Sequence, residues 1–316
     1  MLLGVHFKAH YAAVKAVMIR QMALLRIVLA GCAAAMAAVA QTSQPKALRN
    51  LEYSHPESGP LSLDLYAPET GGPFPLIVWI HGGAYRSGSK SGIWYKPILN
   101  QTGRGYAVAS IDYRLSGVAK FPALVQDAKA AVRWLRANAA RYNLKADRIV
   151  VAGESAGGYQ AAMLGATGGV TELEGASGNL KESSRVQGVI DFFGPTDFLA
   201  MDDGASSCQT PLVHRAPDSP ESQLLGCNLN DCPDKVKATN PIAYVNKDAP
   251  PFLILHGTAD CQVPHTQSQR LYDALRAAGV KADLHLLPGV GHGDQRFLTP
   301  ETEKWVDDFV DAVLRK

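Results

Sequence analysis

The six residues Gly153-Glu154-Ser155-Ala156-Gly157-Gly158 follow directly on an apolar run over 148–152 and open a stretch of helical character. A G-x-S-x-G pentapeptide is common by chance. Between a strand and a helix it acquires meaning, because its glycines permit a turn tight enough to lift a serine hydroxyl above a sheet. The helix that starts there adds free N–H groups and the positive end of its dipole. A serine alcohol is a poor nucleophile near neutral pH, so it needs a base, and the base needs an orienting acid. On such a scaffold the chain order is serine, acid, histidine. Asp260 follows the run at 252–255 and the residues His256-Gly257-Thr258-Ala259, and His292 stands between Gly291 and Gly293 after the run at 284–287. That order predicts acyl transfer with Ser155 as nucleophile, His292 as base and Asp260 as the acid that orients it.

Other residues compete for these roles and are read as structural. Asp294 lies two residues past His292 and reads as a loop-stabilising carboxylate, and Asp191 and Asp197 follow the preceding strand-like run. His285 falls mid-strand, His256 at a strand end and His265 at a helix start. A third functional element is expected at Ile80-His81-Gly82-Gly83-Ala84, where an apolar run ends in two glycines whose N–H groups can approach a ligand without a Cβ in the way. Gly82, Gly83 or both, together with the Ala156 N–H, are expected to hold a tetrahedral oxyanion, with His81 bracing the loop. Tyr85 and Trp94, just past this loop, are expected either to line the substrate pocket or to pack in the interior, and Glu154, beside the nucleophile, either to tune that pocket or to make hydrogen bonds that stabilise the turn. Arg114 in Asp112-Tyr113-Arg114 is expected to form a structural ion pair. No His-x-x-x-His or carboxylate cluster suggests a metal, and no cofactor is expected.

The elements that must bring these side chains together are legible as alternation. Strand-length apolar runs occupy 76–80, 107–111, 148–152, 188–193, 252–255 and 284–287, and helical patterns occupy 122–142, 155–166, 266–278 and 301–314. Most of the runs are continuous rather than alternating, as in strands covered on both faces. Strand and helix in turn mean an α/β architecture with a mainly parallel sheet, whose carboxyl-end edge gathers the candidate residues. A run at 61–66 is amphipathic and belongs to an antiparallel edge. The stretch 202–246, rich in Ser, Pro, Asn and Asp, breaks the alternation and reads as a lid-like insertion of short helices and loops within one domain spanning 51–316.

Composition bounds the compartment and the partners. Of 31 basic residues, Lys8, Lys15, Arg20 and Arg26 precede residue 40, where no acid occurs, so the remaining 27 face 29 acidic residues. This mildly acidic body argues against a nucleic-acid partner. Residues 27–40 form a short uncharged run that ends in Ala38-Val39-Ala40, the pattern of an export signal cleaved before Gln41. The run is too short to span a bilayer, so no integral span is expected once the signal is removed. Met18 or Met22 offers an alternative start, and Leu29-Ala30-Gly31-Cys32 offers an alternative lipoprotein anchor through Cys32. Residues 41–50 read as a flexible leader. The chain is expected to be periplasmic or extracellular, with Cys208, Cys227, Cys232 and Cys261 in two disulfides whose three possible pairings stay open.

Taken together, His81–Gly88, Asp112-Tyr113-Arg114-Leu115, Gly153–Gly158, Asp260-x-x-Val263-Pro264 and Gly291-His292-Gly293 resemble the hormone-sensitive-lipase-like and feruloyl-esterase-like (BD-FAE-like) branch of the α/β-hydrolases over roughly residues 50–315. The resemblance implies an eight-stranded, mostly parallel sheet and cofactor-free hydrolysis of a small-molecule carboxylic ester, feruloyl or acetyl side chains among the candidates. The loop reads His-Gly-Gly-Ala where lipase-like relatives carry His-Gly-Gly-Gly, and Glu154 stands where they often have Asp. The 202–246 insertion is not part of the shared pattern. Amide hydrolysis of arylformamidase or peptidase type is the alternative within the same chemistry. A non-catalytic binding protein on this scaffold is the alternative outside it. Oligomeric state is not legible.

Overall fold

A computed structural model of the chain describes residues 45–203 and 212–315; the expected export signal, Cys32 and Cys208 lie outside the described residues. Eight strands form one sheet in the order β1-β2-β4-β3-β5-β6-β7-β8. They are β1 (Lys46–Ser54), β2 (Leu61–Ala67), β3 (Phe74–Ile80), β4 (Ala107–Ile111), β5 (Leu144–Glu154), β6 (Gly188–Phe192), β7 (Phe252–Gly257) and β8 (Ala282–Leu287). β1 and β2 join by antiparallel pairing, and every pair from β4 to β8 is parallel.

Within the continuous apolar runs a period of two survives. Leu76, Val78 and Ile80 of β3 and Ile149 and Val151 of β5 enter one core, packed under the helices Ala123–Ala137, Ala156–Ala166 and Thr266–Ala277. Ile77 and Trp79 of β3 and Val150 and Ala152 of β5 enter a second core, covered by the helix Pro300–Leu314. The runs lack polar alternation because both faces are buried, and side chains at i and i+2 still share a face. Hydrophobic burial on two sides therefore sets the register of β5, the strand that delivers Ser155.

Two sequence expectations need correction. The flexible leader expected over 41–50 is, from Lys46 onward, the outer strand β1, pinned by Leu48 and Leu51 against the core and by Arg49 Nη1 to Asp64 Oδ2 at 2.7 Å. An irregularity in its pairing between Leu48 and Leu51 interrupts the alternation that would otherwise mark it as a strand. The helix expected over 122–142 is divided into Ala123–Ala137 and Ala139–Tyr142. Asn138 at the break turns its side-chain amide back onto the Trp134 carbonyl at 2.9 Å, a local bond that competes with helix continuation.

The insertion carries the helices Pro220–Leu225 and Pro233–Thr239, and its Leu224, Leu225, Leu229 and Val236 join the first core. Cys227 and Cys232 form a disulfide, and Cys261 is disulfide-bonded as well.

The turn after β5 is one of the tightest points among the described residues. A Cβ at Gly157 would overlap the carbonyl oxygens of Ile80 and His81, so the helix Ala156–Ala166 lies directly on the end of β3. Gly157→Ala is therefore expected to cost about 3 kcal/mol or more of stability by forcing the helix off the sheet. Urea unfolding would check this, and a loss no larger than that of an exposed Gly→Ala change would refute the contact.

Candidate active site

Ser155 caps the helix Ala156–Ala166 with φ 51° and ψ −118°, a conformation that L-residues rarely hold. Its own N–H is held by the Phe192 carbonyl at 2.8 Å, which fixes the turn against β6. The hydroxyl thus projects beyond the carboxyl end of the sheet, where the loops after β7 and β8 also arrive.

The three residues expected to converge do so. His292 Nε2 lies 3.0 Å from Ser155 Oγ, and its Nδ1 lies 2.6 Å from Asp260 Oδ2. With a carboxylate at Nδ1, the neutral ring carries its proton there and turns the Nε2 lone pair to the serine hydroxyl. The Phe193 ring meets His292 edge-on at 4.7 Å and backs the imidazole with an apolar surface.

Asp260 is held from several sides. Its Oδ1 accepts the N–H groups of Gln262 at 2.8 Å and Val263 at 2.9 Å. His256 Nε2 stands 3.3 Å from Oδ2 and 2.8 Å from the Val263 carbonyl, while its Nδ1 faces the Ser268 hydroxyl at 2.7 Å. Burial opposes the charge on Asp260, but the bonds from His256 and His292 outweigh it and hold the carboxyl well below the usual range. Asp260 is therefore an anion throughout the working pH range. His256, read from sequence as packed in place, is fully buried and braces the acid from behind.

The rival residues are occupied elsewhere. Asp294 bonds to Arg296 on the surface, Asp191 accepts the Gly194 N–H at 2.8 Å, and Asp197 caps the turn Phe198–Ala200. His285 stacks on Trp305 at 3.9 Å, and His265 begins the helix Thr266–Ala277. Arg114 clasps Asp127 through Nε and Nη2, the ion pair expected from its sequence context.

The loop after β3 is built from the residues around it. His81 stacks on Tyr113 with ring centroids 4.4 Å apart, and the Tyr113 hydroxyl donates to the His81 carbonyl at 3.0 Å. Burial pushes the His81 ring down from its ordinary value, so it is neutral and its Nδ1–H donates to the Gly82 carbonyl at 2.7 Å. The Gly82 N–H, one of the expected oxyanion donors, is engaged by Glu154 Oε1 at 3.2 Å. The N–H groups of Gly83 and Ala156 donate to no group among the described residues.

A cleft of about 380 Å³ opens over Ser155 and is lined by Gly83, Ser87, Trp94, Glu154, Phe193, Gln262 and His292, among others. Trp94 and Glu154 thus line the pocket. Tyr85 does not. It is 2% exposed and packs on Tyr159 and Phe198 beneath the loop, because φ values of 52° at Ala84 and 63° at Tyr85 fold the backbone over it. Phe193 and Gln262 were not singled out from sequence. Their positions, immediately past β6 and two residues past Asp260, are the signal that could have found them.

Burial pushes the Glu154 carboxyl up to about 7, against the opposing effects of the Gly82 N–H and the Lys96 charge. Its Oε2 has no hydrogen-bond partner among the described residues.

The BD-FAE family profile matches residues 63–275. Esterase LipC of Mycobacterium tuberculosis is 31% identical over 222 residues, which make up 70% of this chain and 53% of that protein. The chain thus spans about half the length of the curated relatives it matches. A solved structure described as a truncated form of a carbohydrate esterase from gut microbiota is similar at TM-score 0.76 and 35% identity, covering 88% of this chain and 99% of that one. Esterase Est2 of Thermogutta terrifontis with propionate bound is similar at TM-score 0.68 and 26% identity, covering 87% and 96%.

A carboxyl whose folded pKa lies above its unfolded one binds more protons in the native state. Stability is then fullest below the ordinary carboxyl range and declines as pH rises through about 7. Glu154→Gln keeps an acceptor for the Gly82 N–H and removes the titration. Relative to the parent it is expected to gain roughly 2–3 kcal/mol near pH 8 and little near pH 4. Urea unfolding at the two pH values checks this, and an equal effect at both would refute it.

Proposed function

Because the chain belongs to the BD-FAE family of α/β-hydrolases, we propose that it is a serine carboxylic-ester hydrolase working through an acyl-enzyme at Ser155. The observation that carries this reading is the continuous contact Ser155 Oγ–His292 Nε2–His292 Nδ1–Asp260 Oδ2, with steps of 3.0 and 2.6 Å across the ring.

In this mechanism His292 takes the Ser155 proton as Oγ attacks the ester carbonyl, and Asp260 stabilises the imidazolium that forms. Negative charge develops on the carbonyl oxygen. The unengaged N–H groups of Gly83 and Ala156 receive it, with the helix Ala156–Ala166 directing the positive end of its dipole to the same place. His292 then returns the proton to the departing alkoxide, which leaves as the alcohol. Water enters on the same side, gives a proton to His292, attacks the acyl carbonyl and releases the acid with Ser155 restored.

The acyl groups we propose are small ones borne as side chains on a larger substrate, acetyl or feruloyl. The propionate-bound neighbour and the neighbour described as a carbohydrate esterase support this choice. So does the aromatic lining of the cleft by Trp94 and Phe193. We take the chain to work outside the cytoplasm, a reading supported by the Cys227–Cys232 disulfide and the bonded Cys261.

Ser155→Ala is expected to fold normally, to lose labelling by a fluorophosphonate probe, and to lose at least about 10⁴-fold in kcat/KM on p-nitrophenyl acetate. Retained hydrolysis in that variant would end the assignment. On a series of p-nitrophenyl esters, acetate is expected to exceed octanoate by about ten-fold or more in kcat/KM. Methyl ferulate and acetylated xylan complete the panel, and a preference for long acyl chains would refute the substrate class.

A further inference from the structure

The inserted segment meets the catalytic loops at a buried charged pair. His214 is 3% exposed and Glu221 also 3%. His214 Nδ1 lies 3.0 Å from Glu221 Oε2, and its Nε2 lies 2.9 Å from the backbone carbonyl of Gln262. Gln262 lines the substrate cleft, and its own N–H is one of the two that hold Asp260. A carboxylate and a carbonyl can only accept hydrogen bonds, so both ring nitrogens must donate, and a ring that donates twice is an imidazolium.

We propose that His214 and Glu221 are positioning residues of the site: a buried imidazolium–carboxylate pair through which the inserted segment grips the Gln262 carbonyl and fixes that wall of the cleft. The grip is one of several anchors. Arg86 Nη2, from the loop after β3, donates to the Asp218 carbonyl at 2.9 Å, and the Phe121 N–H donates to the Leu224 carbonyl at 3.0 Å. Of the three contacts named here, that of His214 ends on a residue that touches both the cleft and Asp260.

The charged groups around the ring favour the doubly protonated form. Burial alone would lower its pKa, but Glu221 and then Asp202, whose Oδ1 also takes the His214 backbone N–H at 2.8 Å, raise it above the ordinary histidine value. Arg215 lies across Asp202 at 4.0 Å on the exposed side. The Tyr85 phenol near Glu221 is neutral, since burial pushes it well above its usual range. A histidine with a raised pKa contributes fully below its unfolded value and loses that contribution as pH climbs through the folded value. Once the ring is neutral, the Glu221 carboxylate keeps the remaining proton at Nδ1, Nε2 turns a lone pair to the Gln262 carbonyl, and the grip fails.

The test compares the full-length parent, Glu221→Gln and His214→Phe. Its kinetic readout rests on the esterase reading, and its second readout does not. KM and kcat for p-nitrophenyl acetate are measured from about pH 6 to about pH 10. In the parent, KM is expected to rise on the alkaline side of the ordinary histidine range more than kcat falls. In Glu221→Gln the side-chain amide donates to Nδ1, so a neutral ring still donates from Nε2 to Gln262, and the alkaline rise in KM is expected to vanish. His214→Phe is expected to show, at every pH, a KM about ten-fold above the parent's value on the acid side, the scale of one charge-assisted hydrogen bond, with no alkaline rise. Hydrogen exchange of the 260–264 backbone in the unliganded proteins reads the grip without turnover, and protection is expected to follow the same order.

If the parent and Glu221→Gln keep the same pH dependence of both KM and exchange, the proposal is overturned, whether or not His214→Phe folds. Exchange that behaves as expected in proteins that neither hydrolyse esters nor take the fluorophosphonate label would overturn the esterase reading and leave the grip standing.

Discussion

The left-handed backbone of Ser155, at φ 51°, is the constraint on which the site depends. A non-glycine residue in that region carries about 1–3 kcal/mol of strain and persists only where its surroundings over-determine it. Here the surroundings are the end of β3 pressed on Gly157, the Phe192 carbonyl holding the Ser155 N–H, and two hydrophobic cores fixing β5 from above and below. Together these hold the serine hydroxyl at the sheet edge, 3.0 Å from His292 Nε2. The eight-stranded architecture matters to the chemistry chiefly because it keeps this one residue in that conformation.

Much of that arrangement was legible in the sequence because its signals are local. Ser155, Asp260 and His292 each sit just past an apolar run, and glycines next to or near each mark the turn. A parallel sheet brings such positions to one edge without further information. Most of the strands were readable because burial on both faces leaves their apolar runs without regular polar alternation, and their ends shifted by only a few residues.

What was not legible depends on backbone direction and on distant partners. Tyr85 looks like a pocket residue until two consecutive positive φ angles fold the loop over it. Gly82 looks like an oxyanion donor until the Glu154 carboxylate, adjacent to the serine in sequence but across from the loop in space, engages its N–H. β1 looks like a leader because Arg49 and Asn50 interrupt its apolar pattern at the irregular pairing. The insertion gave composition alone, and neither the Cys227–Cys232 link nor the pairing of His214 with Glu221 follows from composition. In each case the deciding contact joins residues whose separation along the chain carries no periodic signal.

The bonds around Asp260 share a direction. Two backbone amides and the His292 imidazole point their hydrogens at the same carboxylate, His256 Nε2 stands 3.3 Å from it while bonding the Val263 carbonyl, and the loop from 260 to 263 closes on it as a ring. The side chain is therefore a sink for hydrogens, and this polarity leaves His292 only one way to face. An asparagine at 260 would fill the same volume, yet its NH₂ would confront at least one incoming hydrogen, and the ring at 292 would turn its lone pair inward and its N–H toward the serine. Beside its charge, then, the carboxylate contributes a one-way orientation imposed on its neighbours.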